Sequence, residues 1–317
     1  MRDLRILFMG TPDFAVATLQ KLIEHSYNVV GVVTAPDKPA GRGRKLKESA
    51  VKIFAKQNKL RIFQPWNLKD PSFVDDLKTA ESNLQIVVAF RMLPKVVWQL
   101  PEFGTFNLHA SLLPDYRGAA PINWAIINGE ETTGVTTFFI DEKIDTGAII
   151  LQEKVSIITE DTAGTLHDKL MLKGAELVLK TVELIQQDKA TTKIQKTAEG
   201  VELKSAYKIH KDSCRINWNW SMSQIQNFIR GLSPYPAAWT IIINDAEEIH
   251  LKVYTSKAEP EEHQLNIGSI VLSKKELKVA VSGGFIFIDE IQLAGKRKMS
   301  IKDALNGLKL SKKAHMV

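Results

Sequence analysis

Between Phe103 and Ile150, this 317-residue chain concentrates the side-chain types that chemistry needs. Asn107 and His109 lie two apart in Gly104-Thr105-Phe106-Asn107-Leu108-His109, and in an extended strand that spacing puts both on one face. A second strand-like run, Gly134 to Ile140, leads to a loop carrying Asp145-Thr146-Gly147. An amide donor, an imidazole and a carboxylate are the groups that steady developing charge and move protons. Spacing alone does not assign them that work. An Asn or His at a strand end is more often a hydrogen-bonded structural residue, and at this point both readings stand.

The surrounding elements say where such groups would meet. Leu4, Ile6, Leu7 and Phe8 read as a buried strand that turns at Gly10. Thr11 is placed to cap the next helix, with Pro12 in its first position. Ala15, Val16, Leu19, Leu22 and Ile23 then recur at helical spacing. Further strands are expected at Val29–Thr34 and Leu84–Ala89, and a long amphipathic helix runs through Leu166, Leu170, Ala175, Val178, Leu179, Val182 and Ile185. Strands alternating with helices predict an α/β fold: a Rossmann-like open parallel sheet with helices on both faces. Such sheets bind ligands beyond the carboxyl ends of their strands.

The pattern changes after about residue 189. A polar stretch precedes a short helix at Met222–Leu232 and strand-like runs at Trp239–Ile243, Ile249–Tyr254, Gly268–Leu272, Leu277–Val281 and Phe285–Leu293. The last two are joined by a hairpin turn at Ser282-Gly283-Gly284. The expected organisation is a catalytic domain at 1–189, a linker at 190–205, and a small β-barrel of the oligonucleotide-binding (OB-like) type at 206–317. The net charge of +6 is carried mainly by the barrel region, with 16 Lys and Arg against 11 Asp and Glu from residue 206 on. A polyanionic partner for that half is one reading, and an ordinary basic surface is the other.

Several classes are disfavoured. No run approaches the roughly 20 apolar residues of a membrane span, and nothing near the N-terminus reads as a secretory leader. Cys214 is the single cysteine, so no internal disulfide is possible, and no Cys/His spacing suits zinc. A cytoplasmic protein without membrane or metal is expected, acting as a monomer. The phosphate-cradling GxxxxGK[ST] and GxGxxG patterns are absent. Trp218 and Trp220 are expected to be structural, and Cys214 inert.

What breaks the tie at the strand end is the literal string. Asn107-Leu108-His109-Ala110-Ser111-Leu112-Leu113-Pro114, followed by Tyr116-Arg117-Gly118 and later by Asp145-Thr146-Gly147, resembles the folate-dependent formyltransferases. The resemblance implies that Asn107, His109 and Asp145 are catalytic, and that Ser111, Leu112, Leu113 and Pro114 lie against the folate carrier. Four further stretches are similar to methionyl-tRNA formyltransferases within that superfamily. They are Phe8 to Ala15, the loop Thr34 to Leu46, and the C-terminal segments Ile229–Ala237 and Gly295–Ser300. The implied reaction moves the formyl group of 10-formyltetrahydrofolate to the amino group of initiator methionyl-tRNA. The implied tRNA contacts are Lys38, Arg42, Arg44 and Lys45. Lys208, Lys211, Lys296, Arg297 and Lys298 either extend a positive track or are simply solvated. One stretch departs from the family pattern. Where an Ala-Tyr-Gly motif is usual, this chain has Ala89-Phe90-Arg91-Met92-Leu93-Pro94, one residue shorter. Rival readings are a formyltransferase for a small amine, a folate-dependent hydrolase, and an inactive nucleic-acid-binding module.

Overall fold

A computed structural model describes residues 1–40, 45–196, 200 and 202–317. Arg42 and Arg44 lie outside the described residues, as does the side chain of Lys45. The chain forms two compact units. The first comprises Met1–Gly118, Thr132–Ser156 and His167–Ser205, and the second Ala119–Glu131, Ile157–Leu166 and Ala206–Val317.

The first unit is built on a seven-stranded sheet: β1 (Arg5–Gly10), β2 (Asn28–Val33), β3 (Ile62–Phe63), β4 (Leu84–Val88), β5 (Thr105–His109), β6 (Thr132–Phe139) and β7 (Ile149–Ser156). Its spatial order is β7-β6-β5-β4-β1-β2-β3. The first five strands pair in parallel, whereas β5–β6 and β6–β7 are antiparallel. The near-continuous apolar runs of β1 and β4 suit strands covered on both faces, and β4 is buried at every position. The long helix Ala163–Gln186 contributes Leu170, Val178 and Val182 to this core. Thr181 on that helix bonds Thr137 of β6 at 2.8 Å. The first helix begins one residue later than the capping pattern predicts. It runs Asp13–Glu24 with an extended Pro12 as N-cap and no side-chain cap from Thr11.

The second unit is the β-barrel. Its strands are β8 (Ala238–Asn244), β9 (Glu247–Pro260), β10 (Ile270–Leu272), β11 (Leu277–Val281), β12 (Gly284–Leu293), β13 (Met299–Ser300) and β14 (His315–Met316). Along the sheet the order is β10-β11-β12-β9-β8-β14, with β13 on β12. A bridge between Ser269 and His315, with the Met316 amide donating to the Gly268 carbonyl at 2.8 Å, joins the two ends into a nearly closed ring. Closure removes the unpaired edges that a sheet would otherwise expose. The helix Met222–Leu232 packs on this barrel, its start held by a capping box between Ser221 and Gln224. Trp218 is buried with its indole N–H on Thr240, and Trp220 meets Phe228 edge-on, so both tryptophans serve the core. Cys214 is buried too, and burial pushes its thiol above the ordinary value.

The Ile229–Ala237 stretch gains a structural reason here. Arg230 donates to the carbonyls of Ile158 and Asp161, and the Gly231 carbonyl accepts from Asn123. Those bonds tie both earlier excursions of the chain to the barrel's helix.

Barrel closure depends on one glycine. Gly268 has φ +84°, and a Cβ there would lie 2.5 Å from the Met316 carbonyl oxygen. Gly268→Ala is therefore expected to destabilise the barrel by about 2 kcal/mol or more, through left-handed strain and displacement of the last strand. Denaturant unfolding of the variant measures this. An unchanged midpoint would mean that the last strand contributes little to closure.

Candidate active site

The candidate groups gather at the carboxyl end of β5. Asn107 pairs with Phe138 and His109 with Thr136 across the β5–β6 ladder. Leu108, between them, points the other way, toward Gly174 of the long helix. The expected shared face for Asn107 and His109 follows. His109 is buried, and its Nε2 lies 2.8 Å from the Tyr116 carbonyl. Because a carbonyl only accepts, Nε2 carries the hydrogen, and Nδ1 is left facing Asp145. The Nδ1–Oδ2 distance is 3.8 Å, an ion-pair separation rather than a hydrogen bond. Asp145 Oδ2 accepts instead from the Gly118 amide at 3.0 Å. Thus the imidazole is oriented by Tyr116 and the carboxylate by Gly118. The Asn107 side-chain oxygen is buried without a hydrogen-bond partner among the described residues. A buried acceptor left unmet is costly, and its position beside His109 suits a substrate N–H.

The loop carrying Asp145 is tightly built. Asp141 Oδ1 accepts from the Lys143 amide and the Thr146 hydroxyl. Asp145 itself is left-handed, at φ +55°. At Gly147 a Cβ would fall 1.7 Å from the Phe139 carbonyl oxygen, which only glycine permits. That requirement accounts for the glycine of the Asp145-Thr146-Gly147 string.

The Ser111–Pro114 segment lies alongside. Ser111 is fully buried and donates its hydroxyl to the Asp115 carbonyl at 2.7 Å. Leu113 is buried, donates its amide to Thr136 Oγ1, and accepts from Gln152 Nε2. Leu112 and Pro114 are only partly buried. The structure therefore splits the segment into two residues that anchor it and two that present surface. Thr136, Gln152 and the main chain of Tyr116 and Gly118 complete the site, and sequence reading had not singled out any of these roles.

The departing stretch has a structural account. Arg91 donates to the carbonyls of Pro65 at 2.8 Å and Trp66 at 3.1 Å, and its partial burial lowers its pKa. Arg91, Trp66, Lys69, Met92 and Lys95 line an open groove of about 760 Å³.

The loop expected to meet RNA leaves the sheet after β2 as a hairpin, Lys38–Ala40 against Lys45–Lys47, with Lys38 exposed. Its neck is held by polar contacts. Thr34 and Ser49 share a 2.7 Å hydrogen bond, Gln64 donates to Asp37, and the Lys52 ammonium bridges Asp37 and Glu48. The Lys52 hydrogen bond holds Asp37 below its ordinary value of 3.8, and Lys56, then Lys52, hold Glu48 below 4.5. Lowered carboxylate pKa values stabilise the neck above those ordinary values, and the benefit is lost as pH falls through the lowered ones. Carboxyl NMR titration should find both midpoints depressed, and Lys52→Met should raise both. An unmoved Asp37 midpoint in that variant would refute the bridge.

Comparison with known proteins decides the family. Residues 4–182 match the family model described as formyl transferase, and residues 208–309 that of the formyl transferase C-terminal domain. A methionyl-tRNA formyltransferase of Flavobacterium johnsoniae is 54% identical over 99% of both chains. One from Bacteroides thetaiotaomicron is 52% identical over 98% of this chain and 97% of its own. The chain belongs to the methionyl-tRNA formyltransferase family. Among solved structures, the sugar 3N-formyltransferase WlaRD, in the presence of dTDP and 5-N-formyl-THF, aligns with a TM-score of 0.64 at 22% identity. That alignment covers 94% of this chain and 100% of WlaRD. HypX from Aquifex aeolicus in complex with tetrahydrofolic acid gives 0.65 at 16% identity, covering 98% of this chain and 49% of HypX. These two likenesses show a shared fold. What marks this methionyl-tRNA formyltransferase family member off from them is the full-length identity to its bacterial relatives.

Proposed function

We propose that the protein transfers the formyl group of 10-formyltetrahydrofolate to the amino group of methionine on initiator methionyl-tRNA. The carrying observation is the meeting of Asn107, His109 and Asp145 at one strand end, in a chain whose relatives of that name match it from end to end. The attacking amine forms a C–N bond to the formyl carbon, and the formyl oxygen takes the negative charge. Collapse breaks the bond to the carrier nitrogen, which takes up the proton that the amine has shed.

In this reading the Asn107 amide N–H donates to the developing oxyanion, while its orphaned oxygen accepts an N–H of the attacking amine. His109, with its Nε2 hydrogen committed to Tyr116, offers Nδ1 to the reacting centre. Protonated there, it would be a second donor to the oxyanion. The Asp145 carboxylate, steadied by Gly118, takes the proton that the amine sheds. Leu112 and Pro114 supply the carrier contacts of their segment, and buried Ser111 and Leu113 hold it in place. Lys38, Lys45 and, beyond the described residues, Arg42 and Arg44 meet the acceptor end. Exposed Lys208, Lys211, Lys296 and Arg297 follow phosphates on the barrel unit. Lys298 is engaged with Glu290 and Tyr254, which makes it the least available of that set. The scheme needs no metal. Its product serves translation initiation, so a cytoplasmic enzyme is implied, and a monomer is the stoichiometry to test by sedimentation.

The test is direct. The protein is incubated with 10-formyltetrahydrofolate and initiator methionyl-tRNA, with free methionine and an amino-sugar nucleotide as parallel acceptors. Formylmethionine recovered from the tRNA alone supports the reading. Transfer to the small amine, or carrier cleavage without acceptor, overturns it.

A further inference from the structure

We infer that Gln195 is a positioning residue for the transfer site, a role that rests on the formyl-transfer reading above. Its carboxamide makes every hydrogen bond available to it. Nε2 donates to the carbonyls of Asp145 at 2.9 Å and Gly147 at 2.8 Å. Oε1 accepts from Arg117 twice, from Nε at 3.2 Å and from a terminal guanidinium nitrogen at 2.6 Å. Two hydrogens and two lone pairs are thereby used.

The bonds form a closed circuit. Gln195 holds the main chain of Asp145, and the Asp145 side chain holds the Gly118 amide. Gly118 follows Arg117, whose guanidinium returns to Gln195. One residue before Arg117, the Tyr116 carbonyl orients His109. Gln195 therefore ties together the two backbone segments that aim the carboxylate and the imidazole, while touching neither reacting group with its own side chain. The arrangement also answers a structural need, since the left-handed Asp145 persists only where its surroundings over-determine it.

Gln195 reaches this place from the edge of the sheet. The Lys193 main chain exchanges two 2.8 Å hydrogen bonds with Ile149 at the start of β7. Gln195 lies two residues further along the chain. The residue types most similar to glutamine in size do not meet the geometry. Glutamate would set a carboxylate against two carbonyls, leucine keeps only the bulk, and asparagine falls one methylene short.

The experiment uses Gln195→Leu and Gln195→Glu in the full chain, each with two readouts. The first is amide hydrogen exchange at Gly118, whose N–H is covered by Asp145 and needs no substrate to be measured. We expect it to quicken by about tenfold or more in both variants. The second is steady-state formylation of methionyl-tRNA. Here kcat should fall on the order of 10- to 100-fold, as for a misaimed catalytic group, with KM for the tRNA nearly unchanged. Unchanged Gly118 exchange overturns the inference, as does quickened exchange with an unaltered kcat. Should the leucine variant fail to fold, the near-isosteric glutamate variant decides by the same readouts. Should the wild-type protein transfer no formyl group, the functional reading fails, and the exchange result alone decides whether Gln195 fixes the Asp145 loop.

Discussion

Asn107→Ala should lower kcat for formyl transfer by about 10²- to 10³-fold, the usual cost of removing one oxyanion donor, or roughly 3–4 kcal/mol. The expectation rests on where the side chain sits. It ends β5 on the same face as His109, and its oxygen is buried without a partner among the described residues. A structural asparagine would be satisfied by its own fold, and truncating it would leave a neighbour unpaired. Here truncation orphans no protein group among the described residues, so stability should change little. The signature is thus a large fall in kcat with an unchanged unfolding midpoint and unchanged tRNA affinity. Single-turnover formylation beside denaturant unfolding separates these quantities. A variant that unfolds early but turns over normally would return Asn107 to a structural role.

How much of this candidate site is legible in the sequence depends on whether its parts are side chains in a motif or backbone atoms brought in by folding. Asn107 and His109 were readable because strand alternation fixes their relation within three residues. Asp145 required the literal string, since nothing in spacing joins a loop after β6 to the end of β5. Gln195 carried no signal at all. It lies 50 residues beyond Asp145, and its partners are two main-chain carbonyls that any sequence would supply. The carbonyl of Tyr116 and the amide of Gly118 were hidden for the same reason, although the Tyr116-Arg117-Gly118 string marked their neighbourhood.

Fold legibility followed the strength of periodicity. The strands Ala238–Asn244, Leu277–Val281 and Gly284–Leu293 and the helix Met222–Leu232 fall where the apolar patterns put them, whereas the strand expected at Ile249–Tyr254 runs on to Pro260. The Ser282-Gly283 turn was equally visible, with Val281 pairing Gly284 across it. Closure of the barrel was not, because β14 is only two residues long and its place is fixed by Gly268 on a distant stretch. The helix start at Asp13 was missed because an extended proline took the N-cap position that Thr11 was expected to fill. The segments Ala119–Glu131 and Ile157–Leu166 group with the barrel through contacts such as Asn123 to Gly231 and Arg230 to Asp161. Pairings so far apart in sequence leave no local pattern to read.

Asp145→Asn should cost as much as Asn107→Ala or more, on the order of 10²- to 10⁴-fold in kcat, the range for a lost general base. The substitution is nearly isosteric. An asparagine oxygen can still accept from Gly118, and the main-chain bonds to Gln195 do not involve the side chain. The loop should therefore hold, and what disappears is charge and basicity 3.8 Å from His109 Nδ1. Two consequences follow that a purely structural carboxylate would not produce. The kcat loss should persist at saturating methionyl-tRNA and saturating folate, because neither binding surface has been altered. It should also shrink as pH rises, because solvent hydroxide can then take the proton that the amine sheds. Measuring kcat across pH for the wild type and the variant tests both. A variant whose deficit is confined to KM would make Asp145 a binding residue, and one with wild-type kcat at neutral pH would leave proton removal to His109 Nδ1.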